Sequence, residues 1–373
     1  MYSKIWLSKP HFEPEDIDVT KKTMASNWVS TAGPNIASFE KSIERILKNK
    51  AKVVALNSGT SALHLALKLL EIGSGDEVLC QTFSFCATVN PILYCGAIPV
   101  FIESEKQTWN MSPVFLEEAI QDRLKKKTKP KAIMVVDSYG MPAKWDQISA
   151  IASKYEIPII EDAAAAFGSM YKGQMCGTFG DFSILSFNGN KIITSSSGGT
   201  LICKEQHHKE RAIHLATQAK IEGFIHAEVG FNYRMSNVLA AIGLKQLIVL
   251  EKRVQQRRDN HFRYQSIINT IEGMALQQEN NPNFYANFWL NCICLEASLI
   301  SKSALLRTFS KNNIDARSLW YPLHLQPYLK GTLYYGDHYS KRLFETGLCL
   351  PSSSNLTSEE FHRIDQVFKS IVK

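Results

Sequence analysis

The stretch FSILSFNGNKIITSSSGGTLICKE, Phe182–Glu205, holds two short apolar runs on either side of a polar, glycine-punctuated loop. Runs of this length bounded by turn residues read as buried strands, FSILSF (Phe182–Phe187) and TLICKE (Thr200–Glu205). Between them stands one lysine, Lys191, flanked by Asn188, Asn190, Ile192 and Ile193, with no acidic residue in the ten positions that follow. An exposed lysine stays charged and unreactive, whereas one enclosed by apolar groups sheds its proton more readily and attacks carbonyls. The loop is therefore a candidate reactive centre, and its flanking strands open the fold.

Outward from it, the same pattern recurs. KVVALN (Lys52–Asn57), DEVLCQ (Asp76–Gln81), AIPVFIE (Ala97–Glu103), AIMVVD (Ala132–Asp137) and IPIIED (Ile157–Asp162) read as further strands, separated by helical patterns such as SALHLALKLLEIG and WDQISAIASKYE. Near-continuous apolar strands alternating with helices predict an α/β fold, a mostly parallel central sheet covered by helices on both faces. Ligands of such sheets bind at the carboxyl ends of the strands. A long helix is expected from about Ser236 to Ile271, and after it FWLNCICLEA and SALLRTFSKNN suggest a smaller α+β unit. The expected division is a large domain over 1–250 and a small C-terminal domain over 251–373.

Composition narrows the function classes. Apolar residues make up 45% of the 373 and charged residues 21%, the balance of a globular protein large enough for two cores. No apolar run approaches the roughly 20 residues of a membrane helix, and the N-terminal MYSKIWLSKPHFEPED lacks a hydrophobic leader, so a cytoplasmic protein with no membrane partner is expected. The net charge of +7 is concentrated in RLKKKTKPK (Arg123–Lys131), read as a solvated loop, and EKRVQQRRDNHFR (Glu251–Arg263), read as an exposed helix face. Neither interleaves aromatics in the manner of a nucleic-acid surface, so no nucleic-acid partner is expected. The eight cysteines form no C-x-x-C pair and lie mostly in apolar runs, so they read as buried reduced thiols, with no metal site.

Several further residues fall at strand ends. NSGTSALHLAL (Asn57–Leu67) passes from strand to helix through Ser58, Gly59, Thr60 and Ser61, a place where free N–H groups and hydroxyls bind a phosphate, or simply cap a helix. IIEDAAAAFG ends a strand in Asp162, a carboxylate able to hold a protonated ring nitrogen or to cap the turn that follows. Phe85, in QTFSFCATVNPI, offers a ring face to a flat ligand or packs into the core. Ser186 lies five positions before Lys191, and Asn232, Tyr233 and Arg234 precede the long helix, from which polar groups reach a second subunit. Reactive lysine, acidic partner, phosphate cup and stacking ring together match the arrangement that holds pyridoxal 5′-phosphate.

The ordered set SGTSALHLAL, FSFCATVNPI, EDAA with FG, SFNGNK, GFNYRMSN and YPLHLQP resembles the nucleotide-sugar aminotransferases of the DegT/DnrJ/EryC1/StrS family, and the likeness runs from SNWVSTAGPNIASFE to LCLPSSSNLTSEE. NWVSTAGP, TWNMSP (Thr108–Pro113), SFNGNKIIT and LPSSSNLT resemble most the branch acting on UDP-2-acetamido-4-keto-2,6-dideoxy sugars. The resemblance implies a fold type I aminotransferase working as a homodimer with shared active sites. It implies transfer of an amino group, usually from glutamate, to the C4 ketone of a nucleotide-linked sugar used in surface glycans or glycoproteins. By the same resemblance Lys191 carries the cofactor and shuttles its proton, Asp162 holds the ring nitrogen, and Phe85 stacks on the ring. Thr60, Ser61 and Ser186 hold the phosphate, with Asn232 supplied by the partner. Asn27, Trp28 and Ser30 on one side, and Trp320, Tyr321 and His324 on the other, would meet the sugar nucleotide. Three departures stand out: Ala165 where the family usually carries glutamate, glutamine or histidine, Ser353 in place of a glycine, and Phe288 in place of a frequent arginine. The alternatives left open are a dTDP- or GDP-linked or 3-keto sugar as substrate, and a cofactor-binding regulator without catalysis.

Overall fold

The computed structural model describes residues 3–49 and 51–370. Seven of its strands follow the apolar runs: β1 Lys52–Leu56, β2 Glu77–Gln81, β3 Ile98–Ile102, β4 Ala132–Val136, β5 Ile159–Asp162, β6 Phe182–Ser186 and β7 Gly199–Cys203. They form one sheet in the order β1-β7-β6-β5-β4-β2-β3, with Tyr334–Tyr335 added in parallel beside β3. All run parallel except β7, which is antiparallel to both β1 and β6. Every residue of β2, β4 and β7 is buried, as expected for strands covered on both faces. Each fully buried Val, Ile, Leu or Met in these strands contributes about 1.5–3 kcal/mol.

The reversed strand is what assembles the site. Gly199 stands opposite Leu56 on one side and Ser186 on the other. A Cβ on Gly199 would meet the Gly59 nitrogen at 2.3 Å, so the absence of a side chain lets the helix Gly59–Leu69 begin directly against the sheet. The carboxyl ends of β1, β5 and β6 and the loop carrying Lys191 thereby meet at one edge.

A second, four-stranded antiparallel sheet runs Met274–Leu276, Asn291–Leu295, Gly347–Leu350 and Arg317–Ser318. Its core joins Ile293, Leu348 and Leu350 to Tyr264, Phe309, Phe361 and Phe368, and Ile5 near the chain start packs into the same cluster. Cys292 and Cys349 face each other across this sheet with sulfurs 3.8 Å apart, and all eight cysteines are free thiols.

Two expectations change. The long helix is two, Asn237–Ile248 and Leu250–Ile268, because Val249 leaves helical geometry (φ −101°, ψ 7°). The first packs so tightly on the helix Pro34–Ile46 that a Cβ on Gly243 would come within 2.6 Å of the Phe39 ring, while the second turns toward the antiparallel sheet. Glu251–Arg263 is also not an exposed basic face: Arg253, Arg257, Arg258, Asn260 and His261 are buried. Sequence charge counts miss this because long guanidinium stems bury well when backbone carbonyls receive their heads. No helix among the described residues is long and apolar enough to cross a membrane.

Candidate active site

A cavity of about 520 Å³ opens where the parallel strands end, lined by Thr60, Phe85, Asp162, Ser186, Lys191 and Trp320 together with Thr88, Tyr139, Trp289 and Arg317. Asp162 closes β5 and is 4% exposed. Its Oδ2 accepts the Thr88 hydroxyl at 2.7 Å and its Oδ1 accepts the Ala164 N–H at 3.1 Å. Burial pushes the carboxyl pKa up, while the Thr88 bond, the Ala164 bond and the Lys191 charge pull it down. Lys191 is the reciprocal case. Loss of hydration lowers its ammonium to about 8, with Asp162 opposing, and its Nζ lies 4.2 Å from the centre of the Trp289 ring. A lysine so placed carries a free amine on about a tenth of molecules at neutral pH, far above an ordinary lysine.

The helix Gly59–Leu69 points its N-terminus into the same space. Ser58, in extended conformation, caps it by accepting the Ser61 N–H at 3.0 Å. The first-turn N–H groups have no intrahelical partners and carry the positive end of the helix dipole, a ready seat for an anion beside the Thr60 and Ser186 hydroxyls. Ser61 itself does not line the cavity and donates its hydroxyl to Asn57 Oδ1 at 2.6 Å. Phe85 caps the next helix, Cys86–Tyr94, and remains 57% exposed, its ring available to a flat ligand.

The far wall is aromatic. Tyr139 stacks on Trp320 with centroids 4.0 Å apart, and the Trp320 N–H donates to the Tyr139 hydroxyl at 2.8 Å. Tyr139 holds a left-handed backbone (φ 56°), costing about 1–2 kcal/mol for a bulky residue; burial of its whole side chain against the two tryptophans offsets that. Beneath it, Asp137, Glu161 and Cys176 bring ligand atoms within 4.8 Å of one another. Glu161 already accepts from Gly177, Phe179, Gly180 and Ser183, so its oxygens are saturated by protein donors.

The other expected residues lie elsewhere on this chain. Asn27, Trp28, Ser30 and Asn232 are exposed and outside the cavity. The carbonyls of Trp28 and Ser30 accept from Asn237, which ties their loop to the helix Asn237–Ile248. Tyr321 packs edge-on against Phe344, 39% exposed. His324 stacks on Tyr334, shares a 2.6 Å hydrogen bond with Thr82, and is pushed down to about 4 by burial. Each of the three departures is accommodated in the folded chain. Ala165 sits on the cavity wall with its carbonyl held by Asn287 at 3.0 Å, and Ser353 Oγ accepts the Lys9 N–H at 2.8 Å. Phe288 stacks on His261 at 3.6 Å.

Thr88, Tyr139 and Trp289 escaped the sequence reading. Thr88 lies three residues after Phe85, on the same first helical turn, which is the one local signal available. Tyr139 and Trp289 flank strands but carry no spacing that separates them from core aromatics.

The DegT/DnrJ/EryC1/StrS aminotransferase family model matches residues 10–369. The Bacillus subtilis (strain 168) protein EpsN, described as a pyridoxal phosphate-dependent aminotransferase, is 43% identical, covering 98% of this chain and 95% of its own. GDP-perosamine synthase of Escherichia coli O157:H7 is 34% identical over 94% of both chains. Among solved structures, the PLP form of Streptococcus pneumoniae Spr1654, described as a sugar aminotransferase, superposes with a TM-score of 0.91 at 26% identity over 99% of each chain.

Proposed function

The chain belongs to the DegT/DnrJ/EryC1/StrS aminotransferase family, and on that footing we propose that its cavity transfers an amino group from a donor amino acid to a keto group of a nucleotide-linked sugar. It is a pyridoxal phosphate-dependent sugar aminotransferase. The observation that carries the reading is the joint placement of a dehydrated Lys191 amine, a buried Asp162 carboxylate and an open helix N-terminus around one cavity.

The residues present fit the cofactor: an anion seat, a carboxylate for a ring nitrogen, a ring face and a lysine amine all border one space. When bound, pyridoxal phosphate supplies an aldehyde for amine exchange and a ring that takes up electron pairs. The N–H groups of the Gly59–Leu69 helix start, with Thr60 and Ser186, hold the phosphate. Phe85 covers one ring face. Asp162, oriented by Thr88, holds a proton on the ring nitrogen. Lys191 Nζ would be the attachment point of the cofactor and, when free, would take the proton from the donor's α carbon in the first half and deliver one to the sugar's keto carbon in the second. Trp289, Tyr139 and Trp320 keep water from the reacting atoms.

The donor is L-glutamate and the acceptor a UDP-2-acetamido-4-keto-2,6-dideoxyhexose aminated at C4, for surface glycan or glycoprotein sugars. The 34% identity to GDP-perosamine synthase favours a GDP-linked keto sugar as the second reading. Residues 1–250 supply the cofactor-holding groups, and 251–373 supply Trp289, Arg317 and Trp320 to the opposite wall. The enzyme is a cytoplasmic homodimer. Asn27, Trp28, Ser30 and Asn232 lie outside their own cavity and serve the partner's. Exposed Trp28 (53%), Phe224 (93%) and Val229 (83%) offer apolar surface to such a contact. Free thiols throughout suit a reducing compartment.

The test is absorbance of the purified protein with pyridoxal phosphate, before and after glutamate, beside Lys191→Ala. The expected result is a long-wavelength band in the wild type that glutamate bleaches and that the variant never forms. Side-by-side turnover of UDP- and GDP-linked 4-keto sugars then separates the two substrates. A band that ignores glutamate and every other amino acid would refute catalysis.

A further inference from the structure

Arg257 is a buried cation with no part in the chemistry above. It projects from the helix Leu250–Ile268 and is 1% exposed. Among the described residues it has no carboxylate partner; burial and the neighbouring Arg253 charge lower it to about 9. Its guanidinium donates to the Trp289 carbonyl and, at 3.1 Å, to Ser8 Oγ, while Nε has no partner. Ser8 Oγ donates in turn to the Asn190 carbonyl at 2.7 Å, and the Trp289 indole Nε1–H donates to that same carbonyl at 2.6 Å. The Asn190 carbonyl belongs to the peptide leading into Lys191, whose Nζ stands over the Trp289 ring.

An uncompensated buried charge is among the most costly arrangements in a protein, so a neutral residue would serve mere packing better. The guanidinium contributes what a neutral or single-point donor does not: rigidly spaced N–H groups that serve two acceptors at once. We propose that Arg257 is a positioning residue for Lys191, anchoring Ser8 and Trp289, the two donors that clamp the Asn190 carbonyl, and so setting where the lysine amine enters the cavity. This rests on the role of Lys191 proposed above. The charged and titratable groups bordering the cavity around Lys191 are Asp162, Tyr139, Cys349 and Arg317; Arg253 lies beside Arg257.

The test reads Lys191 in the cofactor-free, full-length protein. Trace reductive methylation with formaldehyde and a hydride donor is followed from pH about 6 to about 10.5, and the Lys191 peptide is quantified by mass spectrometry. Arg257→Met opens the clamp, lets water reach the ammonium, and moves the labelling midpoint up from about 8 toward the ordinary lysine value. Labelling at neutral pH then slows about 3- to 30-fold, since each pH unit of midpoint is tenfold in free amine. Arg257→Lys restores part of the shift, and Ser8→Ala, with Arg257 in place, shows a smaller shift of the same sign. A midpoint unchanged in folded Arg257→Met and in Ser8→Ala overturns the proposal; if Arg257→Met does not fold, Ser8→Ala alone decides it. Failure of the wild type to attach pyridoxal phosphate overturns the function instead, and the labelling readout is independent of it.

Discussion

Thr88 Oγ1 lies 2.7 Å from Asp162 Oδ2, and Ser84 Oγ lies 2.7 Å from that same Thr88 oxygen. The relay joins the first turn of one helix to the end of β5, and the Thr88 bond is the largest of the influences that oppose the burial raising the Asp162 carboxyl pKa. Removing it with Thr88→Val leaves the carboxylate with a lost charge-assisted bond, worth about 1.5–3 kcal/mol. The expected outcome is cofactor affinity weaker by about 10- to 100-fold, measured by titrating the long-wavelength absorbance, with a melting temperature little changed. Unaltered affinity would remove Thr88 from the site.

Lys191 stores instability in the cofactor-free protein. Its folded pKa of about 8 lies below the ordinary 10.5, so between those values the unfolded chain binds a proton that the folded chain does not. Stability therefore rises with pH across that window, and below about 8 the full cost is present. Lys191→Met is expected to raise apo stability at pH about 7 by about 2–3 kcal/mol, the gain shrinking toward zero near pH 10.5. Denaturant melts of both proteins along a pH series check the sign. A gain that grows with pH contradicts the burial of this amine.

His261 stacks on Phe288 and shares a 2.9 Å hydrogen bond with Asn291 Oδ1, and burial holds it down to about 4. The folded state keeps it neutral while the unfolded chain protonates it below about 6.5, so stability falls as pH drops from about 6.5 to about 4. His261→Gln retains a donor for Asn291 without the titration. Its acid-unfolding curve is expected to be shallower than the wild type's through that window, by up to about 3 kcal/mol. Parallel curves for the two proteins would assign the acid sensitivity elsewhere.

Gly199→Ala tests the helix seat by shape alone. The added Cβ would lie 2.3 Å from the Gly59 nitrogen and 2.4 Å from the Ser58 carbonyl carbon, all backbone, so the helix start must move. Loss of stability by about 2–4 kcal/mol and of cofactor affinity by at least about tenfold are expected. Gly73→Ala, whose Cβ meets nothing within 4 Å, is the control and should stay within about 0.5 kcal/mol of the wild type. Calorimetry and the same absorbance titration read both.

What the sequence determined by itself was local and periodic. Apolar runs at 52–57, 76–81 and 182–187 became β1, β2 and β6 within a residue or so, because a strand covered on both faces has no polar alternation to hide it. Thr60, Phe85, Asp162, Ser186 and Lys191, singled out by strand ends and motif order, share one cavity because parallel strands present their carboxyl ends together, and Trp320 reaches it from beside the antiparallel sheet. Tertiary structure alone decided the rest. Chain direction in β7 depends on pairing with β1 and β6, not on its own apolar run. Ser61 turned to the Asn57 side chain four residues before it, and the basic helix Leu250–Ile268 buried Arg257 because a carbonyl distant in sequence, that of Trp289, supplies an acceptor that no local pattern announces. A charge is exposed or enclosed according to what the folded chain places around it, and only the packed layers settle that.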